Sequence, residues 1–282
     1  GDADDVARRA AARLLLDGPF TDSGLGALAG LAGLADLGFF WHATAMTSAG
    51  LACLEALPGL TALACEGNLC DDVAMGHIGR APALRRLNAQ GTVATDRGFA
   101  ALARSRTLEE LWGRECPNLT GPGFAALAHL PRLRALAVSV ARVDDASLAA
   151  LPAFPALRRL TAIDFTDDAF RHVGRCAALE ALQCMYCRDT GDAATAHLAG
   201  LSALTTYYAG MTRITDASLA VLAGLRALES MEFWQVAGIT DTGVAGLARL
   251  PKLRTLTIDG SPKVTRAVAA GFGPGVDVRI TG

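Results

Sequence analysis

Aromatic residues make up only 6% of this 282-residue chain and charged residues only 19%, against 51% hydrophobic. The low charge and high apolar share exclude a disordered chain, which could not bury surface on this scale. Neither sign of charge is in excess. Lys and Arg number 26, Asp and Glu 28, and the net is −2. A dedicated nucleic-acid binder needs a basic surplus to neutralise phosphates, and anionic membranes draw on the same surplus. Long apolar runs are missing too. The least charged stretch, Ser23 to Leu54, carries Asp36, Trp41, His42 and several Thr, Ser and Gly, so it does not read as a membrane span. The start of the chain places Asp2, Asp4 and Asp5 before any Arg, the wrong sign for a secretory leader. Seven cysteines is an odd number at spacings that suggest no disulfide framework, so a reducing, cytoplasmic setting is expected.

No nucleophile elbow, P-loop, dinucleotide fingerprint or H-E-x-x-H pattern occurs. What the sequence has in quantity is a repeat. A Leu-x-x-Leu pair recurs at Leu34/Leu37, Leu60/Leu63, Leu84/Leu87, Leu108/Leu111, Leu133/Leu136, Leu157/Leu160, Leu179/Leu182, Leu204/Tyr207, Leu228/Met231 and Leu253/Leu256. Second-column residues step by 26, 24, 24, 25, 24, 22, 25, 24 and 25. A short alternating stretch follows each pair, as in Leu136-Ala137-Val138-Ser139, and predicts a half-buried strand. An amphipathic segment follows, as in Leu219, Leu222 and Leu225 at helical spacing. Thr21, Thr47, Thr95, Thr120, Thr166, Thr215, Thr240 and Thr265, with Asp71 and Asp144, stand where each helix needs an N-cap. Gly191 breaks that column and predicts an irregular helix.

A strand plus a helix in about 24 residues cannot bury its apolar side alone, but stacked copies can. The expected fold is α/β, a curved horseshoe solenoid with a parallel sheet on the concave face and helices on the convex face. Residues 1–20 are expected to form a capping region, with an amphipathic helix over Asp4 to Leu16. Residues 21–282 are expected to hold ten to eleven repeats, closing on a strand at Val276–Ile280.

These repeats resemble the leucine-rich repeat proteins over about nine-tenths of the chain. Glu115-Cys116-Pro117-Asn118-Leu119-Thr120 and Ile239-Thr240-Asp241 are close to the cysteine-containing subclass common in F-box adaptors. No F-box fits before the repeats, and most units carry Thr, Asn or Ser in place of the cysteine. The Ala-, Gly- and Arg-rich composition is similar to that of bacterial proteins from GC-rich genes. The resemblance implies a solenoid fold and a binding role.

Cys184-Met185-Tyr186-Cys187 is a C-x-x-C, but its register argues for structure. Cys184 takes an inward core position. Cys187 shares its column with Asn68, Thr92, Cys116, Thr212 and Ser261, where side chains bond neighbouring turns. The pairs Asp71/Asp72, Asp144/Asp145 and Asp167/Asp168 lie at helix starts, so capping accounts for them. No metal or cofactor is expected.

The face opposite the Leu columns is the expected functional surface. Positions one, three and four after the second column hold no Leu, yet carry all three Trp and two of three Tyr. Trp, Tyr and Arg are the residue types enriched at interface hot spots. Candidate contacts are Phe40, Trp41, Glu66, Trp112, Arg114, Glu115, Met185, Tyr186, Tyr208, Glu232 and Trp234. Met185, Tyr186, Tyr208, Glu232 and Trp234 fall on three successive strands, within about 10 Å, and form the best single anchor. The expected partner is a protein or peptide, not nucleic acid or membrane, with the oligomeric state left open. Two alternatives stand beside this reading. One is an enzyme or small-molecule binder using His42, Glu66, Glu115, Asp164, Tyr186 and Tyr208. The other is the sensor or scaffold part of a larger signalling protein.

Overall fold

The structure is a computed structural model that describes residues 12–39, 45–185 and 187–282. Its contacts divide the chain into two compact units, Gly1–Ala156 and Leu157–Gly282.

The first unit carries strands β1 (Arg13–Leu16), β2 (Asp36–Phe39), β3 (Ala62–Ala64), β4 (Arg86–Asn88), β5 (Glu110–Gly113) and β6 (Ala135–Ser139), each parallel to the one before it in sequence. The second carries β7 (Arg159–Ile163), β8 (Ala181–Met185), β9 (Thr206–Gly210), β10 (Ser230–Trp234), β11 (Thr255–Asp259) and β12 (Asp277–Thr281) in the same way. Parallel neighbours need a crossover, and each repeat supplies one as a short helix. The last strand lies one residue beyond its expected start. The expected capping helix does not extend to Leu16, because Arg13–Leu16 pair with Asp36–Phe39 as a strand. Hydrogen bonding to an open sheet edge outweighs the helical preference of this Arg-Leu-Leu-Leu run. Residues 4–11 of that helix lie outside the described residues.

The register carries the core. Leu37, Leu63, Leu87, Leu111 and Leu136 are in line across unit one. Leu160, Leu182, Tyr207, Met231 and Leu256 are in line across unit two. Every member of both Leu columns is buried. Each such side chain contributes about 2 kcal/mol of burial free energy, which is why the period is held so tightly. Tyr207 fills a leucine position because its neighbours make room and partners. Phe233 lies 6.2 Å away, centroid to centroid. Burial pushes its phenol pKa up, and its hydroxyl bonds to Thr195 and Cys184.

Thr21, Thr95, Thr215 and Thr240 accept from the first turn of their helices, as do Asp71 and Asp144. Thr166 does not cap, since its helix begins only at Phe170. Several repeats tighten to 3-10 turns, as at Ser48–Ala56 and Arg266–Gly271. The helix after Gly191 is irregular as expected: Asp192–Ala196 passes into a 3-10 turn at His197–Gly200.

The Asp after each cap does more than suit the helix dipole. Asp72 accepts from the Thr95 amide and hydroxyl of the next repeat, both at 2.7 Å. Asp22 does the same to Thr47, Asp192 to Thr215, Asp216 to Thr240 and Asp241 to Thr265. Asp96 bonds Thr120 likewise. This ladder ties repeat to repeat along the helical side. Where the cap is itself acidic, the preceding acid is missing: Ser48 stands before Asp71 and donates to it at 2.7 Å, and Gly121 stands before Asp144. Two carboxylates on one rung would repel, so the chain changes both residues together.

Candidate functional site

The face of the sheet turned away from the Leu columns is built by strand alternation alone. Side chains one and three residues past the second column point to it, and so does the residue one before, a column the sequence reading overlooked. That column places Arg86, Glu110, Ser230 and Thr255 on the face. The alternation extends one residue backwards, so the signal was available.

The fourth position after the second column is different from expectation. Glu115, Asp164, Met211 and Gln235 have φ between 53° and 60°, and Gly67, Gly91 and Gly260 share the conformation. At these seven positions the column is the left-handed turn that ends the strand, not a further row of the sheet; Val140 is the described exception. Three glycines in the column were the sequence signal for it.

In unit one, Trp112 is half-buried on β5, in register with Asn88 and Ala137. The polar groups around it bond each other. Asn88 donates to Glu66 at 2.5 Å, Arg114 pairs with Glu115 at 2.8 Å, and Arg86 is in register with Glu110. Beyond these strand ends Gly91, Glu115, Pro117, Ser139 and Arg142 line an open groove of about 480 Å³. Its one thiol, Cys116, is pushed up to about 12 by burial and donates to the Gly113 carbonyl at 2.8 Å. Such a thiol is not a nucleophile at neutral pH.

In unit two, β8, β9 and β10 bring Met185, Tyr208, Glu232 and Trp234 together. Tyr208 is in register with Glu232, and Gly210 with Trp234. Gly210 has a steric role here. A Cβ on it would lie 2.5 Å from the Tyr208 hydroxyl and 3.0 Å from the ring, so the phenol lies along its own strand over a bare backbone. That places the phenol over the residue paired with Trp234. Glu232 is exposed, and neither its carboxylate nor the Trp234 indole N–H has a partner among the described residues. Gln183 accepts from Thr161 at 3.2 Å, and Asp259 from Thr281 at 2.7 Å.

Phe40, Trp41, His42 and Tyr186 lie outside the described residues. Of the groups that an enzyme would use, Glu66 is bonded to Asn88 and Glu115 to Arg114. Asp164 and Tyr208 stand two strands and three residues of register apart, which is about 14 Å. No group of three His, Cys, Asp or Glu able to hold a metal occurs among the described residues. Cys184 and Cys187 are buried. Burial pushes the Cys187 thiol up to about 11, and that thiol donates to the Ala162 carbonyl of the preceding repeat at 3.2 Å. Among the described residues no helix is long and apolar enough to cross a membrane.

No protein-family model and no curated protein matches the sequence. Solved structures do. An internalin from Listeria monocytogenes aligns over 98% of this chain and 88% of its own, with a TM-score of 0.54 and 17% identity. The receptor in a TLR13–ssRNA13 complex aligns over 82% of this chain and 40% of its own, with a TM-score of 0.53 and 16% identity. At such identities the likeness speaks to fold. Joined to the Leu columns and the parallel in-register strands, it makes this chain a leucine-rich repeat solenoid.

Proposed function

We propose that the chain is a binding module that takes a protein or peptide on the concave face of its sheet, without catalysis. One observation carries the reading: Tyr208 and Trp234 stand on adjacent strands of a face that has no leucine in unit two, with Glu232 and the Trp234 N–H left without partners among the described residues. An aromatic ring facing water gains most when a partner covers it, and an unpartnered polar group beside it supplies direction. The seven free thiols fit a reducing, cytoplasmic setting, and the stacked Cys116 and Cys187 fit the cysteine-containing subclass. TLR13 was solved with single-stranded RNA. An RNA reading is less favoured here, because a phosphate chain would meet Glu232 and Asp259.

Affinity capture from the source organism tests the proposal. Trp234→Ala and Tyr208→Ala should each weaken capture of the partner by about 2 kcal/mol, with stability little changed. Arg249→Ala, on the helical side, should change neither. Loss of folding in Trp234→Ala with unchanged affinity of the folded fraction would make the aromatics scaffold.

A further inference from the structure

The charge on the face of β8 to β11 is one-sided. On β8 to β11 its rows hold Ala181, Gln183 and Met185; Thr206, Tyr208 and Gly210; Ser230, Glu232 and Trp234; and Thr255, Thr257 and Asp259. Two of these are carboxylates and none is a cation. Arg159 on β7 and Arg279 on β12 flank the patch; Arg279 is engaged by Asp277 at 2.6 Å, and Arg159 also has a partner. Unit one differs, since Arg86 and Arg114 are interleaved there with Glu66, Glu110 and Glu115.

We infer that the surface of β8 to β11 selects a basic segment, an extended peptide whose Lys or Arg side chain is held between the Trp234 ring and the carboxylates of Glu232 and Asp259. The inference rests on the binding role proposed above and adds the chemistry of the partner. Register sets the spacing. Asp259 is paired with Trp234 on the next strand, about 4.8 Å away, and Glu232 lies two residues before Trp234 on the same strand, about 6.6 Å. A cation above an indole face is favoured within about 6 Å of the ring, and Trp is the best of the aromatic rings for it. A carboxylate at that range adds a charge-assisted hydrogen bond. Glu232 has no cation to displace among the described residues, so the partner's charge meets an exposed acceptor. Tyr208, held over Gly210, supplies a second ring on the adjacent strand, and Met185 on β8 supplies adaptable apolar surface for the peptide stem.

An acidic or phosphate-bearing partner would set its charge against Glu232 and Asp259 with no cation on these four strands to offset them. The Arg114 side of unit one offers no equivalent cation site, because its acids are already paired with Arg114 and Asn88.

The test uses the whole chain and an array of decapeptides of random sequence, balanced in composition, with single-stranded RNA 13-mers as a separate arm. The wild type should retain peptides enriched in Lys and Arg. Affinity for the best of them should fall about tenfold in Trp234→Ala and in Glu232→Gln/Asp259→Asn, and should weaken as salt is raised. Circular dichroism of each variant checks that it is folded. Retention of neutral or acidic peptides that Trp234→Ala abolishes would overturn the basic-partner inference while leaving the binding face in place. Binding of the RNA that Trp234→Ala removes would do the same. Lys- and Arg-rich peptides that bind all variants equally would overturn both, since the site would then lie elsewhere. An array that retains nothing overturns the inference.

Discussion

The sheet faces of the two units are made by one alternation rule and differ in how far their polar groups satisfy one another. In unit one, Glu66 is bonded to Asn88, Glu115 to Arg114, and Arg86 lies in register with Glu110. In unit two, Glu232 and the Trp234 indole have no partner among the described residues. A face that satisfies itself gains little from a ligand, because each new contact must first break an old one. A face with unspent acceptors next to aromatic rings has more to gain. The helical side differs as well. Unit two's ladder accepts through Asp on every rung, at Asp167, Asp192, Asp216 and Asp241. Unit one's is reversed at Ser48–Asp71 and interrupted at Gly121.

The largest expected effect separates the two sides of one strand. Tyr207→Ala should cost about 3–5 kcal/mol in a urea melt, since it empties a filled column position. Tyr208→Ala, one residue on, should cost under about 1 kcal/mol. Equal losses would mean that the face of unit two is core rather than surface.

The next effect concerns the ladders. Ser48→Asp should lower the urea midpoint by an amount equivalent to about 1 kcal/mol, by setting a second carboxylate against Asp71. Asp71→Thr in the same chain should restore it, because the rung then matches those of unit two. Failure of the double variant to recover would break the account of the paired substitution. Acid sharpens it further. Burial raises the pKa of Asp192, but bonds from Ser218 and Thr215 outweigh that and hold it below the ordinary carboxylate value. Its stabilising contribution is therefore present above pH about 4 and lost as pH falls through the depressed value.

Smaller effects test the sheet faces themselves. Gly210→Ala should displace the Tyr208 ring and weaken partner binding about threefold to tenfold, with little change in melting, because the new Cβ meets a movable phenol and not backbone. Trp112→Ala and Arg114→Ala should each change binding less than about threefold, and Arg114→Ala should change stability by less than about 0.5 kcal/mol, as is usual for an exposed ion pair. A tenfold binding loss on Trp112→Ala would erase the difference between the units.

Much of this was legible beforehand because its causes are local or periodic. The Leu pairs, the caps at Thr95, Thr215 and Thr240, the closing strand and the inward-facing Cys184 follow from spacing and from the need of helix N-termini for an acceptor. The face bearing Trp112, Tyr208 and Trp234 follows from alternation in strands that the Leu columns hold in register. The sequence alone thus determined which residues are inside and which are out. Tertiary structure decided whatever depends on the neighbouring repeat. It turned Arg13–Leu16 from a helix end into an edge strand, since only a sheet already in place offers that hydrogen-bonding edge. It put Glu115, Asp164, Met211 and Gln235 into left-handed turns, where the chain has to leave one strand within a fixed repeat height. It bonded Asp72 to Thr95 and Asp216 to Thr240, paired Arg114 with Glu115, and left Glu232 without a partner among the described residues. These are contacts between side chains some 20 residues or more apart, or choices among competing partners. A single sequence names the candidates for such contacts, and packing selects among them.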